Sequence, residues 1–415
     1  MAQNEFSRRD FLTTAALGSA AMMMPKGVFA AGSAQIKVGV IGTGGRGTDA
    51  CVNALNADPS VVIHAMGDLF PDRLAGARSN LEKNFQGRVV VGDRAFTGWD
   101  NFEKVVATDC DYVILTAPPA FRAAHLKAAV DAGKHVFMEK PVGTDAPQIR
   151  SVFESADKAK AKGLNIVAGT QRRHDPAYRE CIKRIQDGQM GDVVALYAYW
   201  NQGGLWSVEK TPNMTDMEWQ LRNWLYFTWI SGDIIVEQHI HNQDVCHWAM
   251  GTHPAKAIGL AGRQVRTPAL YGHVYDHFAT EFEYENGVRL ISMCRQIDGT
   301  ASRVNEKIVG TKGNSDANNI IRGENPWRYD GQRGNAYVHE HKHLIEAMGG
   351  KYYINEGRQV GESTLAAIMG RMAGYTGKEI TWEQALNSEE SLLPKLEFGP
   401  CEVPPVAMPG KTPFK

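Results

Sequence analysis

Short apolar runs alternate with helix-like segments through the first third of the chain. Between two of these runs, apolar residues recur at helical spacing over Arg122–Ala132, and Gly133 stands where a helix C-cap is expected. Strands that alternate with helices are typical of a parallel, doubly wound α/β sheet, in which ligands bind beyond the carboxyl ends of the strands. The predicted strands are Gln35–Ile41, Val61–Gly67, Asp111–Thr116 and His135–Met138.

The later part of the chain has a different pattern. Phe278–Tyr284 and Val288–Met293 alternate apolar and polar residues on either side of Asn286-Gly287, which predicts an antiparallel hairpin. The chain has 415 residues, more than a single hydrophobic core usually holds, so we expect two domains.

Composition narrows the class of protein. Lys and Arg total 45 against 46 Asp and Glu, so a strongly basic face for nucleic acid is not indicated. No run reaches the ~18 apolar residues of a membrane span, and we expect no stable span in the mature chain. The six cysteines are scattered without a C-x-x-C pair, which argues against a disulfide framework and against a cysteine metal site.

The first thirty residues resemble an export signal. Ser7–Leu12 holds two adjacent arginines followed by Phe-Leu, Thr13–Met24 is modestly apolar, and Val28–Ala30 ends in a small-x-Ala cleavage pattern. The paired arginines are typical of the twin-arginine type, which carries folded proteins across the bacterial inner membrane. We therefore expect the twin-arginine machinery as a partner and the periplasm as the location; the alternative is an amphipathic first helix.

A glycine-rich turn follows the first predicted strand and precedes a predicted helix, the context that a G-x-G-x-x-G dinucleotide motif requires. The first glycine allows the tight turn, the second lets the backbone approach a pyrophosphate, and the third lets the helix pack close to the strand. The predicted cofactor-binding residues of this turn are Gly42, Thr43, Gly44, Gly45, Arg46 and Gly47.

An acidic residue strengthens that interpretation. Asp68 ends the second predicted strand, 21 residues beyond Gly47, where a carboxylate accepts hydrogen bonds from the ribose hydroxyls and repels a 2′-phosphate. NAD is therefore favoured over NADP, although Arg73 lies close enough in sequence to serve a phosphate. The alternative is a glycine turn with a helix-capping Asp68 and no ligand.

Lys140 lies at the same predicted edge of the sheet. His135–Met138 ends in Glu139-Lys140-Pro141, so the lysine would stand beside a nicotinamide, where it could orient a substrate hydroxyl or take part in proton transfer. The alternative is a surface lysine at a strand end. Further predicted cofactor contacts at this edge are Thr116, Pro118, Glu139 and Lys140 itself.

Three segments, Gly42–Gly47, Ala132–Pro141 and the region around His241, resemble the Gfo/Idh/MocA oxidoreductases, in particular glucose–fructose oxidoreductases and glycoside dehydrogenases. The resemblance covers nearly all of the chain after residue 30. It implies an N-terminal Rossmann domain and a C-terminal α/β domain built on an open, mainly antiparallel sheet. It also implies hydride transfer between a nicotinamide and a sugar, glycoside or inositol hydroxyl.

These observations divide the chain into four parts. Residues 1–30 are assigned to the signal peptide, and residues 31–158 to the NAD-binding Rossmann domain. Residues 159–387 form the substrate and oligomerisation domain, whose last helices could pack back on the Rossmann domain. Residues 388–415 are assigned to an extended tail that holds six of the 18 prolines.

A predicted helix from Asp233 to Trp248 carries the remaining catalytic candidates. Glu237, His241 and Asp244 are spaced i, i+4, i+7, on one face of a helix. The resemblance implies that His241 is the general base on the substrate hydroxyl, that the acid holds it, and that Asp244 contacts substrate. Glu237 stands where the family more often has Asp, and His239 where a glycine is usual, so the chain departs from the family pattern at these two positions.

Two further assignments concern charged residues. The loop from Thr170 to Pro176 corresponds to one that faces the substrate in the family, so Arg173 becomes a candidate substrate contact, with an ordinary charged loop residue as the alternative. We predict no metal site, because His239 and His241 are two residues apart on a helix and point in different directions.

Together these features predict an NAD-dependent oxidoreductase that acts on a sugar or glycoside hydroxyl, with C3 of a glycoside as a candidate position. Because the periplasm has no evident pool of free NAD, the cofactor is expected to stay bound. The alternatives are a redox-assisted, NAD-dependent glycosidase and a non-catalytic sugar-binding protein. A homo-oligomer is expected from the large open sheet. Six aromatic residues could stack on sugar rings, pack in the core or form an interface. They are Trp200, Trp206, Trp219, Trp224, Tyr226 and Trp229.

Overall fold

The computed structural model describes residues 35–415, so the predicted signal segment lies outside the described residues. The strands are β1 (Ile36–Ile41), β2 (Val61–Asp68), β3 (Ala95–Thr97), β4 (Tyr112–Leu115), β5 (His135–Met138), β6 (Ile166–Ala168), β7 (Val193–Gln202), β8 (Lys256–Gly262), β9 (His277–Glu283), β10 (Arg289–Gln296), β11 (Arg303–Gly310), β12 (Gly313–Ser315), β13 (Ile320–Gly323), β14 (Trp327–Arg328) and β15 (Ile380–Thr381).

The α-helices are α1 (Gly45–Ala57), α2 (Pro71–Asn84), α3 (Asn101–Val106), α4 (Arg122–Asp131), α5 (Ala146–Ala161), α6 (Pro176–Gln186), α7 (Asp216–Arg222), α8 (Thr228–Ser231), α9 (Ile234–Glu237), α10 (Ile240–Met250), α11 (Ala336–Met348), α12 (Gly357–Thr376) and α13 (Trp382–Asn387). None of the helices within residues 35–415 has both the length and the apolarity needed to cross a membrane.

The first sheet has six parallel strands in the order β3-β2-β1-β4-β5-β6, with helices on both faces, which confirms the predicted doubly wound fold. Apart from the edge strand β3, its strands are mostly buried on both faces, as parallel sheets require, and Val40 and Phe137 are completely inaccessible. The sheet continues beyond residue 158, where we placed the domain boundary, because β6 pairs in parallel with β5 and sets Ala168 opposite Met138.

The second sheet has nine strands in the order β14-β13-β12-β11-β7-β10-β9-β8-β15. Every pairing is antiparallel except that of β7 with β10, which confirms the expected, mainly antiparallel architecture. The predicted hairpin is confirmed as β9 and β10, and Gly287 in its turn has a positive φ of 80°. Helices α10 and α12 cover one face of this sheet. The other face exposes Ile258, Leu260 and Met293, and we call it the open face.

Two late helices join the domains. Nearly every residue of α12 is buried, because it packs on α5 of the first domain and on β8 and β9 of the second. A Cβ atom on Gly370 would lie 2.8 Å from the Phe282 ring, so the helix approaches the sheet closely. Helix α11 packs on α1, and its Leu344 shares one core cluster with Val40 of β1.

The C-terminal tail lies against both domains. The Leu392 N–H donates to the Asp145 carboxylate of the first domain (2.9 Å), and the Tyr275 hydroxyl of the second domain donates to the Ala407 carbonyl of the tail (2.7 Å).

Helix α11 also buries a carboxyl group. Glu340 is 0% exposed, and neither of its carboxyl oxygens has a hydrogen-bond partner among residues 35–415. Burial, and then the nearby negative charges of Glu139 and Glu356, raise the pKa of Glu340 well above its usual range, against the attraction of Arg46. The folded state therefore favours the neutral acid.

We predict that Glu340→Gln becomes progressively more stable relative to the parent protein as pH rises. A raised folded-state pKa gives stability that is complete below the unfolded-state pKa, near 4.5, and is lost at higher pH. Glutamine keeps the size and polarity of the neutral acid and does not titrate. The midpoint of thermal unfolding, measured from pH 5 to pH 8 for both proteins, gives the difference.

Glu346→Gln on the same helix is the matched control. The pKa of Glu346 is lowered although partial burial acts to raise it, because Lys351 donates a hydrogen bond to it and attracts its charge. This control should therefore not gain stability as pH rises. A Glu340→Gln difference that stays constant with pH, or shrinks, would show that Glu340 is ionised in the fold.

Candidate active site

Two glycines shape the turn after β1. Gly42 has a φ of 93°, and a Cβ atom there would lie 2.3 Å from the Ala117 backbone nitrogen. A Cβ atom on Gly47 would lie 2.0 Å from the Gly42 carbonyl oxygen. Any larger residue at either position would push the turn away from β4 or lift α1 from the strand, so the sequence spacing serves this geometry.

The start of α1 has room for a phosphate. A Cβ atom on Gly45 would meet no atom within 4 Å, and on Gly44 it would meet only the flexible end of Arg73. No side chain of the described residues caps α1, so its first backbone N–H groups face the cleft without a protein partner. Free N–H groups and the positive end of the helix dipole suit a pyrophosphate, and the residues present therefore fit a dinucleotide.

Asp68 is buried at the end of β2 and lines the same cleft. One carboxylate oxygen accepts hydrogen bonds from the Thr43 N–H (2.6 Å) and hydroxyl (3.0 Å), and the other accepts from the Phe70 N–H (2.9 Å). The residue thus holds the glycine turn as well as offering remaining lone pairs to ribose hydroxyls. Its negative charge opposes a 2′-phosphate on the ribose.

The ends of β4 and β5 complete this half of the cleft. The Thr116 hydroxyl donates to the Gly42 carbonyl (2.6 Å), and Pro118 begins the turn into α4. Arg122, which sequence reasoning missed, is buried and joins both strand ends through the carbonyls of Glu139 (2.9 Å) and Ala117 (2.6 Å). Burial lowers the pKa of Arg122 to about 10.

Glu139 and Arg46 form an ion pair of 2.5 Å at the floor of the cleft. The carboxylate packs so closely against the end of β6 that a Cβ atom on Gly169 would lie 2.5 Å from it. Both residues line the cleft, as their predicted roles require. Each one also neutralises the other, so the pair fixes the first turn of α1 relative to β5.

Lys140 and Glu237 meet across the two domains. The Lys140 ammonium donates a hydrogen bond to the Glu237 carbonyl (2.7 Å) and lies 3.8 Å from its carboxylate. The Lys140–Pro141 peptide bond is cis. Burial raises the pKa of the Glu237 carboxyl, against the attraction of Lys140 and Arg266.

His241 lies in the first turn of α10 and lines the same cleft of about 920 Å³ as Lys140 and Glu237. Burial, and then the positive charges of Lys140, Arg172 and Arg46, lower the pKa of His241 well below its usual value. The imidazole is therefore neutral at pH 7 and has a lone pair ready to accept a proton.

The predicted support of His241 by Glu237 is wrong. The expected single helix is broken: α9 ends at Glu237 and α10 begins at Ile240, so the i, i+4 relation does not apply. No hydrogen bond joins the two side chains within residues 35–415, and Glu237 faces Lys140 instead. The Trp200 ring lies against His241, with centroids 5.7 Å apart and planes at 25°.

Arg173 and Asp244, which we predicted as substrate contacts, pair with each other instead of lining the cleft. The two side chains form a bidentate ion pair of 2.8 and 2.9 Å, and neither lines the cleft. Although burial acts to raise it, the pKa of Asp244 is lowered, because of the Arg173 charge and hydrogen bonds from Arg173 and Ser363. The ion pair attaches the loop of Arg173 to Asp244 of α10, and the Ser363 hydroxyl of α12 donates to the same carboxylate.

Of the six aromatic residues noted in the sequence, some are buried in the core and others line the cleft. Trp219, Tyr226 and Trp229 are buried in one core cluster, whereas Trp206 and Trp224 line the cleft in an edge-on pair 6.3 Å apart. The sequence drew attention to this group without indicating which members face the cleft.

The other histidines of this region have partners on the second sheet. His239 is 2.8 Å from the Ser292 hydroxyl, and His247 is 2.7 Å from the Tyr284 hydroxyl. Among residues 35–415, no group of three or more His, Cys, Asp or Glu side chains is arranged to hold a metal ion.

Comparisons with known proteins agree with this architecture. Residues 36–166 match the family described as "Oxidoreductase family, NAD-binding Rossmann fold". Residues 178–315 match the "GFO/IDH/MocA C-terminal domain".

Inositol dehydrogenases are among the similar curated proteins. Inositol 2-dehydrogenase 3 of Saccharopolyspora erythraea is 27% identical over 255 residues, which are 61% of this chain and 65% of that protein. The scyllo-inositol 2-dehydrogenase (NAD(+)) of Bacillus subtilis is 23% identical over 283 residues, 67% of this chain and 72% of that protein.

A solved structure has the same fold. The scyllo-inositol dehydrogenase from Lactobacillus casei with bound cofactor NAD(H) and scyllo-inositol superposes with a TM-score of 0.64 at 20% identity, over 84% of this chain and 99% of that one. Both family matches and both sheets lead to one conclusion: this chain belongs to the Gfo/Idh/MocA oxidoreductase family, with an NAD-binding Rossmann domain followed by the C-terminal domain of that family.

Proposed function

We propose that this protein is an NAD-dependent oxidoreductase that oxidises or reduces a CH–OH group of a sugar or glycoside. The observation that carries the proposal is the cleft itself. It brings Lys140 and a neutral, partly buried His241 into one space with the glycine turn that suits a dinucleotide. The inositol dehydrogenases among its relatives support a polyhydroxylated ring as the substrate class.

The proposed mechanism assigns one task to each side chain. His241 takes the proton of the substrate hydroxyl, because its imidazole is neutral before the reaction. Lys140 donates a hydrogen bond to the same hydroxyl oxygen and stabilises negative charge that develops there. NAD, when bound, supplies the acceptor for the hydride that leaves the adjacent carbon.

Glu237 orients the lysine in this mechanism. Its backbone carbonyl accepts one Lys140 N–H at 2.7 Å, which leaves the other ammonium hydrogens for substrate. Burial and the neighbouring cations oppose a protonated His241, so the proton that it accepts must pass on after each turnover. The mechanism therefore needs a His241 imidazole that is neutral before the reaction and a route by which the imidazole loses the accepted proton afterwards.

The finer proposal is a glycoside oxidised at C3 by an enzyme that retains its cofactor. Trp206, which is 49% exposed, and Trp224 offer indole surface at the cleft for a sugar ring or an aglycone. A twin-arginine signal over residues 1–30 would deliver the folded protein to the periplasm, where a bound and recycled cofactor replaces a free pool.

A redox-assisted glycosidase is the second candidate. The Glu237 carboxyl, whose side chain is only 13% exposed and whose pKa is raised, favours that reaction because a neutral acid at the cleft can protonate a leaving group. Such an enzyme would oxidise the sugar, eliminate the leaving group and return the hydride, with net hydrolysis.

We also propose that the chain forms a homo-oligomer through the open face of the second sheet. Leu260 is 81% exposed, Ile258 49% and Met293 38%, an apolar set that water disfavours on an isolated domain.

The first prediction from the proposed function concerns the purified mature protein without added cofactor. Nucleotide released by denaturation should be NAD, and one glycoside of a panel should give the bound cofactor the absorbance of reduced nicotinamide. Cleavage of the glycoside while the cofactor is again oxidised at the end would favour the glycosidase. Protein that carries no nucleotide and needs free NAD would contradict retention.

The second prediction concerns the base. His241→Asn should lower kcat by about 10²–10⁴-fold while the NAD content is unchanged, because the asparagine amide cannot accept the proton. His253→Asn is the matched control, since His253 stacks on Trp382 outside the cleft, with ring centroids 3.7 Å apart. Unchanged turnover in His241→Asn would contradict the mechanism, and sugar binding without any turnover in the parent protein would favour the binding-protein alternative.

A further inference from the structure

The second domain reaches over the adenosine side of the cofactor cleft. Asp68 marks this side, because a carboxylate at the end of β2 accepts from the adenosine ribose in such domains. Phe70 follows it, and the guanidinium of Arg222, the last residue of α7, lies 4.0 Å from the Phe70 ring centroid. Leu221 lines the cleft beside Arg222, although both residues belong to the second domain.

An ion pair joins α7 to the first domain at this point. Arg222 donates two hydrogen bonds to the Asp72 carboxylate in the first turn of α2, at 3.0 and 3.1 Å. Glu218, one turn earlier on α7, accepts from the same guanidinium at 2.9 Å and fixes its orientation. A guanidinium held by two carboxylates is restricted to one geometry, so this pair is a specific link between the domains.

The extended tail adds a second link. Phe398 packs against Phe70 and Trp99 of the first domain, with ring centroids 6.2 and 5.3 Å away. The tail is attached to α7 on its other side, because Met217 N–H donates to the Gly399 carbonyl (3.1 Å) and the Gln220 amide donates to the Cys401 carbonyl (2.7 Å). Helix α7 and residues 398–401 therefore form one unit, which we call the adenosine clasp.

The walls beneath the clasp suit a flat, apolar base. Phe70, Trp99 and Phe121 line this part of the cleft, and the Trp99 and Phe121 rings are 6.4 Å apart. An adenine ring can pack between aromatic walls while its ribose reaches Asp68. The Arg222–Asp72 pair and Phe398 lie at the outer side of this crevice, where they contact Phe70 from the second domain and the tail.

We propose that the adenosine clasp retains the dinucleotide, so that NAD leaves only after the Arg222–Asp72 pair and the Phe398 contacts separate. This inference rests on the proposed function only in that the cleft holds NAD during turnover. The residues that retain the cofactor would then belong to the second domain and the tail, and not to the glycine turn. The clasp lies on the Asp68 side of the cleft, so it should act on the adenosine half and should not affect a ligand that lacks adenosine.

The test measures how fast bound NAD exchanges with isotopically labelled NAD in the full-length protein, by mass analysis of the nucleotide on protein recovered at intervals. Arg222→Ala and Phe398→Ala should each exchange about tenfold faster than the parent, since interface changes act mainly on dissociation rates. Arg78→Ala is the matched control, because Arg78 pairs with Glu82 on the exposed side of the same helix α2 and should change exchange less than twofold.

A second readout separates the clasp from general loosening of the fold. The dissociation constant of nicotinamide mononucleotide, which lacks adenosine, should be equal in all four proteins, whereas that of AMP should rise in the two clasp variants. Unchanged exchange rates in an enzyme that reduces its bound NAD would overturn the clasp alone. Faster exchange in variants of a protein without oxidoreductase activity would support the clasp and overturn the proposed function. Equal weakening of both half-ligands would overturn the clasp.

Discussion

A buried guanidinium holds the two halves of the cleft at a fixed separation. Arg371 of α12 is 1% exposed, and one of its nitrogens donates to the Thr144 carbonyl (2.7 Å) and to the Gly232 carbonyl (3.3 Å). Thr144 lies just beyond the Lys140–Pro141 turn of the first domain, and Gly232 just before α9 of the second. A buried charge is tolerated only where such acceptors are in place, so α12 and both segments are held together.

This constraint explains why the cleft works as one site. Lys140 comes from the end of β5 and Glu237 from the end of α9, and their 2.7 Å contact requires that the two domains keep this relation. The same relation removes His241 from water and brings it near the positive charge of Lys140, and both effects lower the pKa of the imidazole and keep it neutral. Position and protonation state therefore have a common origin in how the second domain is packed against the first.

Sequence periodicity predicted the features that depend on neighbours in the chain. The parallel unit, the Gly42–Gly47 turn, Asp68 at a strand end and the β9–β10 hairpin all have a local spacing that one segment reveals. The break between α9 and α10 has no such signal, because Gln238 and His239 are ordinary helix residues. The helical spacing of Glu237 and His241 was therefore misleading.

Long-range pairing was beyond the reach of the sequence. Arg173 and Asp244 are 71 residues apart, and their mutual neutralisation removes both from the cleft. Arg222 and Asp72 are 150 residues apart, and their pairing depends on how α7 folds over the first domain. Arg122 and Arg371 each satisfy carbonyls on separate segments, a role that no motif marks. Residue type indicated charge at these positions, but only the fold decides which partner each charge meets.

The central claim is that the carbon next to the hydroxyl held by Lys140 and His241 gives its hydride to NAD in this cleft. The most direct measurement uses a glycoside that carries deuterium at the carbon to be oxidised, with mass analysis of the nucleotide released from the enzyme during turnover. We predict one deuterium on the reduced nucleotide of the parent protein and none above background in His241→Asn. Consumption of the glycoside with no deuterium ever reaching the nucleotide would contradict it.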